Sequence, residues 1–299
     1  MSAQSGILLE HCRAGIFIEA QVQDLALVKR ECCTFLSNIS ELQHQYPDAG
    51  LGAVLAFGDT IWKQIGPAGS AVELKAFTPL GKGNLRAPAT QRDMIIHIQA
   101  LRQDVCFSAG LMAMAVFGAG ITVEEETHGF RWVDERDLTG FIDGTENPVT
   151  ADRPRVAVIA DGQDAGGSYL CVQRYEHQLD KWQKLNDAKQ EKVIGRTKPD
   201  SIELDDVPDT SHVGRVDLKE NGEGLKILRQ SLPYGKVSGA HGLYFASYCA
   251  RLHNIEQQLL SMFGELDGKT DRILGFTKAV SGGYYYAPSV EQLEALSGE

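Results

Sequence analysis

Three short stretches place reactive side chains where ordinary packing does not call for them. In Gly140-Phe141-Ile142-Asp143-Gly144-Thr145-Glu146-Asn147-Pro148, an apolar pair runs into Asp-Gly-Thr, which sets one carboxylate in a rigid, glycine-flanked turn. An Asx-turn that merely reverses the chain explains the pattern. So does a carboxylate offered to a flat ligand, because the flanking glycines let such a ligand approach the backbone. In Thr210-Ser211-His212-Val213-Gly214-Arg215-Val216, a histidine ends a solvated loop and enters an apolar stretch. A hydrogen-bonded structural histidine and an imidazole ligand are both open there. From Leu225 to Gly235, strand alternation puts Ile227, Arg229 and Ser231 on one face, with Leu228, Gln230 and Leu232 on the other. An arginine among apolar neighbours is costly unless an anion or an acidic cofactor group lies close. A cross-strand salt bridge would also account for it.

Other chemistries are excluded by their motifs. The sequence has no G-x-x-x-x-G-K-[ST] for phosphates and no G-x-S-x-G for a serine nucleophile. Gly50 and Gly52 lack the third glycine of a dinucleotide loop, and no two histidines stand at zinc spacing with a carboxylate. The net charge of -11 gives no general attraction to nucleic acid or anionic membrane. No stretch is apolar for long enough to span a bilayer, and the first residues lack a basic region followed by an apolar run. The six cysteines are scattered without a C-x-x-C, as expected of reduced, buried thiols in a cytoplasmic protein.

The elements that must position these stretches follow from periodicity. With 299 residues and 43% hydrophobic content, the chain can bury one large core or two closely packed halves. Strands are expected at Ala14–Glu19, Gly52–Phe57, Met94–Ala100 and Ile121–Glu125. One helix is expected from an Asp24 cap to just before Pro47, and another over Gln103–Phe117. The order is that of a ferredoxin-like module. The second half repeats it more loosely. Strands are expected at Tyr169–Arg174, Leu225–Leu232, Leu243–Cys249 and Ile273–Val280, with helices over Glu176–Val193 and His253–Phe263. A polar loop, Arg196–Ser211, precedes the histidine stretch.

Taken together, the three stretches resemble the dye-decolourising peroxidase family, in its bacterial B-type (P-class) branch, over nearly the whole chain. Gly140-Phe-Ile-Asp143-Gly144 is similar to the family's G-x-x-D-G motif. His212 matches its proximal haem ligand, and Arg229 in Leu-Arg-Gln-Ser-Leu-Pro-Tyr-Gly matches its distal arginine. The resemblance implies an α+β fold of two ferredoxin-like modules, dimeric α/β-barrel-like, at residues 1–135 and 136–299, with haem b in the second. It also implies homo-oligomers, from dimers to hexamers. Peroxide cleavage then needs a proton moved from one oxygen to the other. Asp143, if ionised, would carry it, and Arg229 would stabilise the developing negative charge. Asp271, in Thr270-Asp271-Arg272, would accept a hydrogen bond from the second nitrogen of His212, though a capping or surface aspartate is the alternative.

Further residues follow from the same resemblance. Gly144 and Thr145 would border the cofactor, and Arg196 would reach a haem propionate unless it is an exposed loop arginine. Phe245 would line the distal pocket unless it belongs to the core. Ser231 stands where some relatives carry asparagine, which alters the placement of distal water. His128, His241 and His253 are read as structural. Trp62, Trp132, Trp182 and Tyr284-Tyr285-Tyr286 would either pass electrons or simply pack. The end Leu296-Ser297-Gly298-Glu299 lacks the Gly/Leu-rich tail that docks some relatives in nanocompartments, so a free cytoplasmic enzyme is expected. Its substrates would be hydrogen peroxide with dyes or small aromatic reductants. Two rivals keep the haem: release of its iron with the porphyrin intact, and haem carriage without turnover. A third has no cofactor at all.

Overall fold

Gly52–Phe57 and Met94–Ala100 are near-continuous buried runs because both faces of the sheet are covered there, whereas Ile121–Phe130 alternates toward solvent. The computed structural model describes residues 1–298; Glu299, part of the chain end considered above, lies outside the described residues. The first half contributes β1 (Ala14–Val22), β2 (Gly52–Phe57), β3 (Met94–Ala100) and β4 (Ile121–Phe130), paired antiparallel as β4-β1-β3-β2. The second half contributes β5 (Ser168–His177), β6 (Leu228–Arg229), β7 (Leu232–Gly235), β8 (His241–Cys249), β9 (Thr277–Ala279) and β10 (Gly283–Ala287). Of these, β7, β8, β5 and β10 pair in that order. Each half therefore has the strand order of a ferredoxin-like module. Pairing of Tyr234 with Gly129 and of Tyr286 with Phe57 joins the two sheets into one closed ring.

Alternation along the strands divides the core. On β3, Met94, Ile96, Ile98 and Ala100 face the helices, α1 (Leu25–Arg30), α2 (Cys32–Gln45) and α3 (Gln103–Phe117) among them. Ile95 faces into the ring beside Phe17, Leu170, Val172, Tyr244, Tyr248 and Tyr285. The ring interior also holds polar groups. Phe17 stacks on Tyr244 at 4.0 Å and on His97 at 4.4 Å, and Nδ1 of His97 meets the Tyr248 hydroxyl at 2.8 Å. Burial pushes His97 down to about 3.

Several elements depart from expectation for local reasons. The helix expected over Glu176–Val193 begins as strand, because Glu176 and His177 pair with Lys278 and Thr277. The helix proper, α4 (Asp187–Ile194), starts at Asn186, whose side chain accepts from the Lys189 amide, and ends at Gly195 with φ 98°. The helix after Asp24 breaks at Glu31 into α1 and α2. Over Ile273–Val280, a 3₁₀ turn (Arg272–Gly275) precedes the short β9, and the strand that closes the ring is β10. The strand expected over Leu225–Leu232 pairs with β8 in one register from Leu228 to Gly235, but its ladder is interrupted at Gln230-Ser231. There the Ser231 hydroxyl accepts the Ala246 amide at 3.1 Å in place of a backbone carbonyl. Two further helices frame the site: α6 (Leu252–Met262) packs on β5 and β8, α5 (His212–Val216) packs on α6, and a cavity lies between these helices and the sheet.

Candidate active site

The cavity encloses about 1540 Å³ of atom-free space, including its open mouth. Its walls are mainly apolar, with Phe141, Val213, Ile227, Phe245, Leu259 and Ile273 among them. His212, Asp143 and Arg229 all line it, as do Gly144, Thr145, Arg196 and Ser231. The order Ile227, Arg229, Ser231 expected for one strand face is found on the cavity wall despite the interrupted ladder.

His212 opens α5, a helix of five residues. So short a helix cannot hold itself, because nucleation costs more than one turn returns. It is fixed from outside. Ser211 caps it by accepting the Gly214 amide at 3.2 Å, and its hydroxyl donates to Pro208 O at 2.6 Å. Arg215, 6% exposed, sets its guanidinium on both oxygens of Asp267 at 2.8 and 3.0 Å and donates from Nε to Ser261 O. The His212 ring is fixed separately, with Nδ1 at 2.7 Å from Oδ2 of Asp271, a residue 1% exposed. The other Asp271 oxygen caps the 3₁₀ turn by accepting the Ile273 amide at 2.9 Å. The capping and ring-holding roles weighed as alternatives for Asp271 are thus combined in one side chain. With Nδ1 engaged, Nε2 is the nitrogen left to bind a ligand.

Asp143 lies in a loop held at both ends. Its amide donates to Glu135 O at 2.9 Å, and Gly144 follows with φ 91°, a conformation that favours glycine. Oδ1 of Asp143 stands 3.7 Å from Nη2 of Arg229, while Nε of Arg229 is buried without a hydrogen-bond partner among the described residues. A smaller chamber adjoins the other side of this pair. Asp143, Arg229 and Ser231 border it together with Arg131, Glu135 and Arg153.

Arg196 spans Glu146 at 2.5 Å, Glu203 at 3.3 Å and Ser201 O at 2.6 Å, at the cavity rim. Thr145 shares a hydrogen bond with Ser201 at 2.8 Å. Sequence reasoning passed over Asp137 and His177, which meet at 3.0 Å in the same cavity, with the other His177 nitrogen 2.7 Å from the Thr277 hydroxyl. Burial alone would raise the Asp137 carboxyl. The His177 imidazole and hydrogen bonds from Thr139 outweigh it and bring it down to about 2. Asn147 was also missed beyond its place in a turn, although its side chain binds the backbone of Arg229. Nothing local in the sequence marks either contact.

Among the described residues, no group of three or more His, Cys, Asp or Glu gathers to hold a metal ion. One imidazole facing an apolar cavity suits a metal whose remaining positions are filled by a flat ring, with the orphaned Arg229 Nε left for a further polar ligand.

These features define a barrel of two ferredoxin-like halves with an imidazole–carboxylate pair and an aspartate–arginine pair around one apolar cavity. Family models describe the same chain. Dyp-type peroxidase, N-terminal, matches residues 4–131, and Dyp-type peroxidase, C-terminal, matches residues 134–292. The chain belongs to the Dyp-type peroxidase family. It is 40% identical over 255 residues to a dye-decolorizing peroxidase of Mycobacterium tuberculosis, covering 83% of this chain and 76% of that one. Among solved structures, a dye-decolorizing protein from V. cholerae superposes with a TM-score of 0.95 at 48% identity, covering 98% of this chain and 99% of that one. A DypB variant from Rhodococcus jostii RHA1, solved in complex with heme, superposes with a TM-score of 0.93 at 33% identity, covering 98% of both chains.

Proposed function

We propose that this chain is a haem peroxidase that reduces hydrogen peroxide and oxidises dyes and small aromatic reductants, with haem b (iron protoporphyrin IX) held on Nε2 of His212. The observation that carries this reading is the cavity itself, where a carboxylate-held imidazole and the Asp143–Arg229 pair share apolar walls. Bound haem supplies the redox chemistry, taking up the oxidising equivalents of peroxide and passing them to reductants. Asp271 fixes the orientation of the His212 ring and strengthens it as a donor. Asp143 takes the proton from one peroxide oxygen and returns it to the other, which leaves as water. Arg229 places positive charge beside that departing oxygen, from the cavity wall it shares with Asp143. The small chamber behind the pair gives peroxide and water a polar way in.

Phe245, Ser231, Gly144 and Thr145 line the cavity and would border bound haem, and Arg196, at the rim beside Glu146 and Glu203, would turn to one of its carboxylates. We further propose modules at 1–135 and 136–299, a homo-oligomeric assembly and a cytoplasmic setting. All six cysteines are free and five of them are buried, which agrees with a reducing compartment. No helix among the described residues is long and apolar enough to cross a membrane.

An absorption spectrum of the haem-loaded protein tests the reading, with peroxide-dependent dye oxidation measured beside it. A strong Soret band that disappears in His212→Ala, together with dye turnover in the parent, is the expected result. Metal-free porphyrin fluorescence without dye turnover would favour iron release instead.

A further inference from the structure

Among the described residues, the outer side of Arg229 pairs with no second strand. On one side β6 and β7 share a single register with β8. On the other side, the pairing recorded with β4 is Tyr234 with Gly129, beyond the arginine. Gln230 donates its amide to Ala246 O across the ladder at 2.8 Å. In an antiparallel ladder the adjacent residue points its own N–H and C=O the other way, so those of Arg229 face outward. One side chain meets both. Asn147 accepts the Arg229 amide on Oδ1 at 2.8 Å and donates from Nδ2 to the Arg229 carbonyl at 2.8 Å. The carboxamide therefore stands in for the missing strand.

Asn147 is itself fixed. Its amide donates to Gly144 O at 2.9 Å, one residue past Asp143, and Pro148 follows it. The Pro148 carbonyl accepts from the buried Arg153 at 3.1 Å. We propose that Asn147 is a positioning residue for the peroxide reaction, a two-point latch that joins the Asp143 loop to the Arg229 strand and sets the spacing of the two side chains. The inference rests on the roles proposed above for Asp143 and Arg229. It adds that their separation is imposed by a third residue that touches neither reacting atom. A shift of about 1 Å in such a pair costs up to about a hundredfold in rate, while the His212 side of the cavity depends on other contacts.

The test uses haem-loaded enzyme carrying Asn147→Ala or Asn147→Asp. Aspartate keeps the shape and the acceptor for the Arg229 amide but, when ionised, has no donor for the carbonyl. Asn147→Ala is expected to keep the parent's Soret band and haem content. Its kcat/KM for peroxide should fall about tenfold or more, and its affinity for cyanide should fall with it, while kcat/KM for the reductant changes less than about twofold. Asn147→Asp should lie between parent and alanine variant. Hydrogen exchange at the Arg229 amide should quicken in Asn147→Ala, a readout that needs no turnover. A peroxide constant within about twofold of the parent overturns the inference, and so does an equal fall in both constants. If the alanine variant does not fold, the aspartate variant decides alone, and parent-like peroxide kinetics in it reject the latch. A parent that binds no haem would instead refute the function proposed above.

Discussion

Replacing His97 with phenylalanine isolates one electrostatic cost that the ring interior imposes on the whole protein. The imidazole is fully buried and stacked on Phe17; one nitrogen meets Tyr248, and the other has no partner among the described residues. Burial is the cause that brings it to about 3, from an ordinary 6.5. In the unfolded chain His97 takes up a proton as pH drops through 6.5, whereas in the folded chain it stays neutral until about pH 3. The unfolded state therefore binds more protons across this window, so stability falls as pH falls. At about 1.36 kcal/mol per unit of separation, the loss between pH 7 and pH 4.5 is on the order of 2–3 kcal/mol.

Phenylalanine keeps the stack and cannot titrate. It leaves the Tyr248 hydroxyl unpaired, at a cost of about 1–3 kcal/mol independent of pH. Urea unfolding of parent and His97→Phe at pH 7, 5.5 and 4.5 separates the two effects. The variant should be less stable at pH 7, and the gap should close or reverse by pH 4.5. A gap that stays constant across the three pH values would refute the claim that His97 is held neutral by burial.

Other expectations concern the cavity. Arg229→Leu should slow the reaction with peroxide at least as much as Asp143→Asn does, because it removes the fixed charge and the orphaned donor together; stopped-flow mixing with peroxide compares them, and near-normal rates in the arginine variant would reject its role. Asp271→Asn should retain a folded protein but weaken haem binding about 10–100-fold and raise the haem reduction potential, as read by haem transfer and redox titration. Asp137→Asn should cost about 2 kcal/mol at pH 7, since its carboxyl lies at about 2 against an ordinary 3.8. That contribution is present above pH 3.8 and vanishes as pH falls through 2, so the two denaturation midpoints should converge in acid.

Much of this architecture is legible in short patterns. Gly52–Phe57, Met94–Ala100 and Gln103–Phe117 have the boundaries that their periodicity and flanking residues indicate. Asp143, His212 and Arg229 each admit an ordinary structural reading alone and are singled out by the family resemblance of their three stretches taken together; the structure gathers them around one cavity. Contacts between distant segments leave no such trace. Asp137 and His177 are separated by β5 and the loop before it, and each alone reads as an ordinary polar residue. Asn147 looks like turn punctuation until the open edge of Arg229 is seen. The closing strand β10 is not legible from periodicity, because Gly283-Tyr-Tyr-Tyr-Ala is buried on both faces and shows no alternation.

The manner in which the ring closes bears on how the chain is made. Phe57 finds its partner in Tyr286, near the far end of the sequence, so during synthesis the first four strands emerge with both outer borders unsatisfied. Pairings of such long sequence separation form late, and exposed borders of this kind invite association with other nascent chains. Maturation of this protein should therefore be limited by capture of β10, and a cell producing it quickly would benefit from a chaperone that shields the early half until that strand emerges.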